Sequence, residues 1–572
     1  MWPARYGAFT GLACMTLLRC GGAATAADPS VDGGPDAHVA RDAKPDVVRV
    51  DAAPMCPSGE IECGIACVDT MTSATNCGAC GEGCGAGLVC EHGKCGCAGS
   101  EILCGGTCIE AVDDDHCGTC STQCTGGAHC SGGACSASAV QHVILIVQEN
   151  HTFDAYFGNY CQAPTGSDPT CTVGPSCCER APATTPDGTT LAPLDDAFNM
   201  VSDRNHSQAC EIEEIDSGKM DRYTSGSDIA GTTCTVACSS TINAAIADGA
   251  SPGGLIAPYW QFADANALAD RYFQPIQGSS SSNDMYFAIA HEQFIDNAYS
   301  PPGVGADCDD PTGLNICGVD APVKAFVGRT TIVDVLRGAG RTVGVYGDGY
   351  AEAVAAAPSC ASVPPECPYS SFLHPELARS CLYDPTDFPF QYYAQLNDDP
   401  TLFFDYTRLA TDLANGTLPD FAFVKGRTFH NEHPEFSTIS DGVTFVTQTI
   451  ADIAASSYAA STLILLTWDE GGGFYDHVSP PEFWTPPVAS TDVLDDGTPV
   501  LHGTRVPMLA IGPFAAKGVV SHVVMDHASI LRFLEYNFVG PVGQLGYSDA
   551  IVNNLGSLLD PSTTGIVIPA GK

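Results

Sequence analysis

Two segments of this chain place carboxylates at the ends of apolar runs. The first reads Ile144-Leu145-Ile146-Val147-Gln148-Glu149-Asn150-His151-Thr152-Phe153-Asp154. The second reads Leu463-Ile464-Leu465-Leu466-Thr467-Trp468-Asp469-Glu470-Gly471-Gly472-Gly473-Phe474-Tyr475-Asp476-His477. A carboxylate at the carboxyl end of a buried strand is held by a rigid element, yet it faces the crevice where open α/β sheets bind ligands. If the two strands are neighbours, Glu149, Asn150, Asp469 and Glu470 offer oxygen ligands to one divalent cation. The Gly triplet lets the backbone turn sharply and lets a substrate come close. A single acidic strand end is as readily a helix cap or a turn, so the weight rests on there being two.

The elements that must position these residues are visible in the texture of the sequence. Val143-Ile144-Leu145-Ile146-Val147 is a continuous run of the kind that forms a strand buried on both faces. Similar runs recur at 342–346, 421–424, 463–466 and 506–511, and helical patterns lie at 258–270, 330–338, 443–455 and 527–537. The alternation predicts a mostly parallel sheet with helices on both faces, a three-layer α/β/α sandwich.

The part before residue 140 is different. Arg5, the apolar run Ala8 to Leu18 and the small residues Ala24-Thr25-Ala26-Ala27 read as an export signal over 1–27. That run is too short to span a bilayer, and Arg19 is the wrong residue before Cys20 for a lipoprotein anchor. Residues 28–54, rich in Asp, Ala, Pro and Gly, read as a flexible acidic linker. Then an eight-cysteine unit occurs twice, at 55–96 (Cys56, 63, 67, 77, 80, 84, 90 and 95) and at 97–136 (Cys97, 104, 108, 117, 120, 124, 130 and 135). Units this poor in large apolar residues need staples. Loss of Cys14 and Cys20 with the leader takes 30 cysteines to 28, an even number that fits disulfides in an oxidising compartment. The Cys-x-x-Cys pairs admit zinc in principle, but a full octet in an exported chain favours four disulfides per unit, of open connectivity. The further cysteines at 161, 171, 177, 178, 210, 234, 238, 308, 317, 360, 367 and 381 are expected to staple surface insertions.

Charge narrows the partners. With 23 basic against 67 acidic residues, the chain carries a formal charge of −44 and no basic stripe. Such a surface repels nucleic-acid backbones and gives anionic membranes no polybasic patch to hold. No later segment is long and apolar enough for a transmembrane helix.

From 140 to about 560 the sequence resembles the bacterial phosphoesterase family that holds phospholipase C enzymes and a class of acid phosphatases, within the alkaline-phosphatase-like superfamily. One family signature is a strand followed by Glu-Asn-Arg/His-Ser/Thr-Phe-Asp and Phe-Gly, here Glu149 to Asp154 and Tyr156-Phe157-Gly158. The other is Thr-Trp/Tyr-Asp-Glu, a Gly pair and Phe-Tyr-Asp-His-Val, here Thr467 to Val478. Shorter matches are Asp203-Arg204-Asn205-His206-Ser207, Asn431-Glu432-His433-Pro434, Arg505-Val506-Pro507 and Asp526-His527-Ala528-Ser529-Ile530. The family's Gly-x-Ser/Thr-x-Pro-Asn loop corresponds to Gly278-Ser279-Ser280-Ser281-Ser282-Asn283 and maps the nucleophile to Ser280, with Ser279 and Ser281 left open by the serine run. Ser282 replaces the family's Pro, Asp284 stands where Arg or His is usual, and Phe388 interrupts an element that would otherwise give Asp387 a site role.

The resemblance implies a metal-dependent phosphoester hydrolase. Glu149, Asn150, Asp469 and Glu470 would hold the cation, with Ca²⁺, Mg²⁺ or Mn²⁺ favoured by the oxygen donors and Zn²⁺ or iron open through nearby histidines. A serine hydroxyl needs activation, which a bound cation supplies while polarising a phosphoryl oxygen. Ser280 would attack phosphorus and form a phosphoseryl intermediate. His206 and His433 would stabilise charge or protonate the leaving oxygen, and Asp476 and His477 would support the metal pair or take part directly. The expected substrate is a phospholipid, as for phospholipase C, or a small phosphate monoester, as for acid phosphatase. The absence of a Cys/Ser-x-Pro-x-Arg motif disfavours a sulfatase. A different class, a surface-binding protein whose repeats adhere to a cell-surface or matrix component while the large domain is inactive, is disfavoured because the acidic pairs and a serine at the nucleophile position are all kept.

Overall fold

The computed structural model describes residues 56–99, 101–110, 113–226, 237–250, 253–302, 304, 322–356, 383–494 and 497–571. The expected leader and linker lie outside the described residues, as do Cys234, Cys308, Cys317, Cys360, Cys367 and Cys381. The chain divides into two units, with the boundary after Asp69. In the first, Ile61–Cys63 and Ala66–Val68 pair as an antiparallel hairpin, and a disulfide joins Cys56 to Cys67.

The second unit contains the remaining cysteine-rich segments and the large α/β body. In repeat 97–136 the disulfides are Cys97–Cys108, Cys104–Cys120, Cys117–Cys130 and Cys124–Cys135. This settles a pairing that spacing left open: first with third, second with fifth, fourth with seventh, sixth with eighth. Cys77–Cys90 and Cys84–Cys95 repeat the last two links in the earlier octet. The second repeat does not stand clear of the body. His129 lies flat on Tyr536 with ring centroids 3.6 Å apart, and its two ring nitrogens meet the Asp114 carboxylate and the Tyr536 carbonyl, each at 2.7 Å. Gly127, at φ 80°, donates its N–H to the Val539 carbonyl at 3.1 Å, and a side chain there would strike the backbone of Asn537 and Phe538.

Eight strands form the central sheet: β1 His142–Gln148, β2 Ala267–Ala269, β3 Val343–Gly347, β4 Phe403–Asp405, β5 Phe421–Lys425, β6 Thr462–Trp468, β7 Met508–Ile511 and β8 Val519–Ser521. Their spatial order is β4-β3-β5-β1-β6-β7-β2-β8. All run parallel except β7, which is antiparallel to both neighbours. The helices used below are α1 Phe153–Phe157, α2 Gln208–Ile215, α3 Ala257–Ala265, α4 Ser280–Asp284, α5 Ile332–Gly338, α6 Thr407–Asn415, α7 Ile439–Ala455 and α8 His527–Phe538. Among them α8 packs with α5, and α7 with α3 and α6; the central strands β1, β5 and β6 are buried at successive positions, so the sheet is covered on both faces as the alternation predicts. Among the described residues no helix is long and apolar enough to cross a membrane.

One expected element is corrected. The pattern at 258–270 suggests a single helix, but α3 ends at Ala265 and Ala267-Leu268-Ala269 is a strand. This segment is fully buried between β7 and β8 and pairs with both, so its backbone groups find partners in a sheet that a solvent-facing last helical turn would not provide.

Candidate active site

The two acidic pairs leave the sheet side by side. In the β1–β6 ladder Gln148 is paired with Trp468, so Glu149-Asn150 and Asp469-Glu470 emerge at the same level. The Asp469 N–H donates to the Gln148 carbonyl at 3.0 Å, and the Asn150 N–H donates to Asp469 Oδ1 at 3.0 Å. Asn150 sits at φ 61°, in the left-handed region that Asn tolerates better than most residues. Gly472, at φ 63°, passes so close to the Asn150 backbone that a Cβ would collide with its carbonyl oxygen. The Gly triplet is therefore needed to fold the second pair over the first.

The serine run opens helix α4. The Ser280 hydroxyl donates to Asn150 Oδ1 at 3.3 Å. The other three hydroxyls turn elsewhere: Ser279 to the His206 carbonyl at 3.4 Å, Ser281 to the Thr386 carbonyl at 3.4 Å, and Ser282 to the Ser279 carbonyl at 2.7 Å. Ser280 is thus the serine whose hydroxyl reaches the acidic pairs. Asp387, which the sequence leaves without a clear role, ends the short turn Pro385–Asp387 packed against this helix, and burial and then the Glu149 charge push its carboxyl well above the ordinary value.

His206 and His433 approach from two loops, with ring centroids 6.2 Å apart. Each Nδ1 is held by a carbonyl at 2.7 Å, that of Arg204 for His206 and that of Pro434 for His433. His206 Nε2 lies 3.7 Å from Glu470 Oε1. Burial lowers the His433 basicity, but the charges of Asp203 and Glu149 outweigh it and raise the ring above its ordinary value. The preceding Glu432 turns away into a cage of Tyr259, Tyr156 and Trp468, which all donate to its carboxylate, and so anchors the loop that carries His433.

Sequence reasoning missed Lys425, the last residue of β5. Its ammonium is fully buried, 2.5 Å from Glu149 Oε1 and 2.9 Å from Asp284 Oδ2. Burial works to raise the Glu149 carboxyl, but Lys425, followed by His433, outweighs it and holds the group below the ordinary carboxylate value. The pair accounts for the departure at Asp284, since a cation at that position would face Lys425. The available signal was a lone Lys at the end of an apolar run.

Asp476 and His477 belong to a different set of contacts. Arg505, also fully buried, places Nη2 2.9 Å from Asp154 Oδ1 and Nε 2.9 Å from Asp476 Oδ1. His477 Nδ1 lies 2.7 Å from Asp154 Oδ2, and Nε2 lies 3.3 Å from Glu179 Oε2. Among the described residues their hydrogen bonds and ion pairs do not extend to Ser280 or to the acidic pairs. Burial lowers the His477 basicity, but Asp154 and then Glu179 overcome it and lift the ring to about 9. A free histidine titrates near ~6.5. The stabilisation from charged His477 is therefore complete below that pH and is lost as pH rises through about 9. His477→Gln is expected to flatten the fall in unfolding free energy across this window, and urea titrations at several pH values would measure it.

The donor set fits a hard divalent cation. Asp469 Oδ2 and Glu470 Oε1 are buried without hydrogen-bond partners. Burial, and then the Glu149 charge, push the Asp469 carboxyl up to about 7, while burial and then the Asp469 charge push Glu470 well above the ordinary carboxylate value. Oxygen atoms that crowd and repel in this way are stabilised by a shared cation. Asp203 also buries both carboxylate oxygens without hydrogen-bond partners, and groups with His206 and His433 at metal-ligating separations.

The family model described as "Phosphoesterase family" matches residues 140–540. The hemolytic phospholipase C of Pseudomonas aeruginosa is 26% identical over 427 residues, which are 70% of this chain and 53% of that one. The non-hemolytic phospholipase C of Burkholderia pseudomallei is 26% identical over 432 residues, 70% of this chain and 55% of that one. This chain therefore spans about half the length of these two relatives. A solved structure from Vibrio parahaemolyticus, a protein in the alkaline phosphatase superfamily, aligns with 10% identity and a TM-score of 0.26 over 52% of this chain and 65% of that one. With the family model covering most of the chain and its signatures meeting at one end of the sheet, the chain belongs to the phosphoesterase family.

Proposed function

We propose that this protein is an exported phosphodiesterase of the phospholipase C type that uses Ser280 as nucleophile. The observation that carries the reading is the Ser280 hydroxyl, directed at Asn150 beside Asp469 Oδ2 and Glu470 Oε1, buried oxygens that no hydrogen bond satisfies. Glu149, Asn150, Asp469 and Glu470 would hold the divalent cation, which when bound supplies charge neutralisation for the serine oxygen and the phosphoryl group. Ser280 gives up its hydroxyl proton to solvent as Oγ attacks phosphorus, the bond to the leaving alkoxide breaks, and His433 or His206 donates a proton to the departing oxygen. Water then cleaves the phosphoserine, releasing a phosphomonoester and restoring Ser280. The expected leader, together with a chain in which the described cysteines are disulfide-bonded, supports action outside the cytoplasm. The relatives named phospholipase C favour a diester over a monoester.

The test is hydrolysis of phosphatidylcholine, a bis-aryl phosphate and an aryl phosphate monoester by purified protein. Diester turnover is expected to exceed monoester turnover, to vanish after chelation, and to return with calcium or manganese. Preference for the monoester would make the protein a phosphatase on the same site, and no turnover of any substrate with metal added would overturn hydrolysis.

A further inference from the structure

Helix α2 begins directly after His206-Ser207, and a buried contact that it makes with the nucleophile loop has no part in the chemistry described so far. Glu211 Oε2 accepts from the Gly278 N–H at 2.8 Å and from Gln274 Nε2 at 2.9 Å, and its Oε1 accepts from the Thr504 N–H at 2.9 Å. Gln274 passes the connection on: its Oε1 accepts from the Gly471 N–H at 2.9 Å and from Thr504 Oγ1 at 3.1 Å. Gly278 lies two residues before Ser280, and Gly471 follows Glu470 directly. Two side chains therefore tie the serine loop to the strand end that carries the second acidic pair. The fit is close, because a Cβ at Gly503 would run into both Glu211 and Gln274.

We propose that Glu211, acting through Gln274, is a positioning residue that sets the distance between Ser280 and the Asp469-Glu470 strand end. A buried carboxylate with no cation against it is a costly way to fill space, and burial accordingly pushes the Glu211 carboxyl up to about 8. What it offers that an apolar residue cannot is three convergent acceptor contacts that fix two loops at once. The neighbouring backbone is held in the same way: Asp296 Oδ1 accepts from Ser279 N–H at 3.2 Å, and Asn297 Oδ1 accepts from Ser281 N–H at 2.9 Å. Glu211 differs from these two in being joined to the metal-side strand as well as to the serine loop.

The inference rests on the serine-hydrolase reading above, and the experiment separates the two. Glu211→Gln replaces one acceptor oxygen with an amide that must face an N–H. Misplacing the nucleophile should lower kcat about 100-fold, with KM for the bis-aryl phosphate and calcium affinity by calorimetry each changing less than ~3-fold. If Glu211→Gln fails to fold, Glu211→Asp keeps the carboxyl group and withdraws it by one methylene, and the same selective loss of kcat is expected. Wild-type kcat in either folded variant would overturn the inference alone, as would kcat, KM and calcium affinity all deteriorating together. Absence of turnover in the unaltered protein would remove the hydrolase reading and the inference with it.

Discussion

Ser280→Ala is expected to lower diester turnover by about 10,000-fold or more while KM stays within ~3-fold, because the variant keeps the binding site and loses the attacking atom. The size of the effect follows from covalent chemistry: without the hydroxyl no phosphoserine forms, and only direct attack by water remains. The neighbouring serines supply the control. Ser281 bonds the Thr386 carbonyl and Ser282 the Ser279 carbonyl, so their removal costs local hydrogen bonds and leaves the reacting atom in place. Ser281→Ala should keep turnover within ~10-fold of the unaltered protein. Stopped-flow assays with the bis-aryl phosphate, together with mass spectrometry of trapped phosphoenzyme, would measure both. A fully active Ser280→Ala protein would move the nucleophile to another residue, and a phosphorylated Ser281 would identify it.

That contrast also shows what the sequence can and cannot convey. The long strands were legible because a strand buried on both faces must be continuously apolar, as Val143 to Val147 and Leu463 to Leu466 are. The strands Ala267–Ala269, Phe403–Asp405 and Val519–Ser521 were not, because three residues carry no period and their pairing is set by neighbours far away in sequence. The acidic pairs were legible as strand ends, but their adjacency came only with the β1–β6 register. Four consecutive serines are indistinguishable as letters and differ only in where each hydroxyl points. Asp476 and His477, close to the acidic pair in the chain, turn toward Arg505, 29 positions beyond Asp476, and toward Asp154, 323 positions before His477. Glu211 and Lys425 were hidden for the same reason, since each takes its meaning from backbone or carboxylate groups on other elements.

Lys425→Met tests one of these fully buried partnerships. The methionine nearly matches the lysine in length, so the core volume is kept and the ammonium alone is lost. Glu149 and Asp284 would then face each other across the end of β5 with no cation between them, and breaking a buried ion pair from one side typically costs about 3–5 kcal/mol. Urea unfolding of the chelated protein should show a loss of that size. The double variant Lys425→Met/Asp284→Asn removes one of the stranded charges, so it should recover at least ~1 kcal/mol of the loss, a coupling expected only of residues in contact. The two ion pairs also join three elements that the chemistry requires together: the strand carrying Glu149, the strand carrying Lys425, and the helix that begins at Ser280. Loss of Lys425 should therefore reduce turnover as well as stability, and Asp284→Asn alone, which leaves Lys425 paired with Glu149, should do so less. A Lys425→Met protein as stable as the unaltered one would mean that the ammonium does not hold these carboxylates in solution, and that the order of the nucleophile helix has another source.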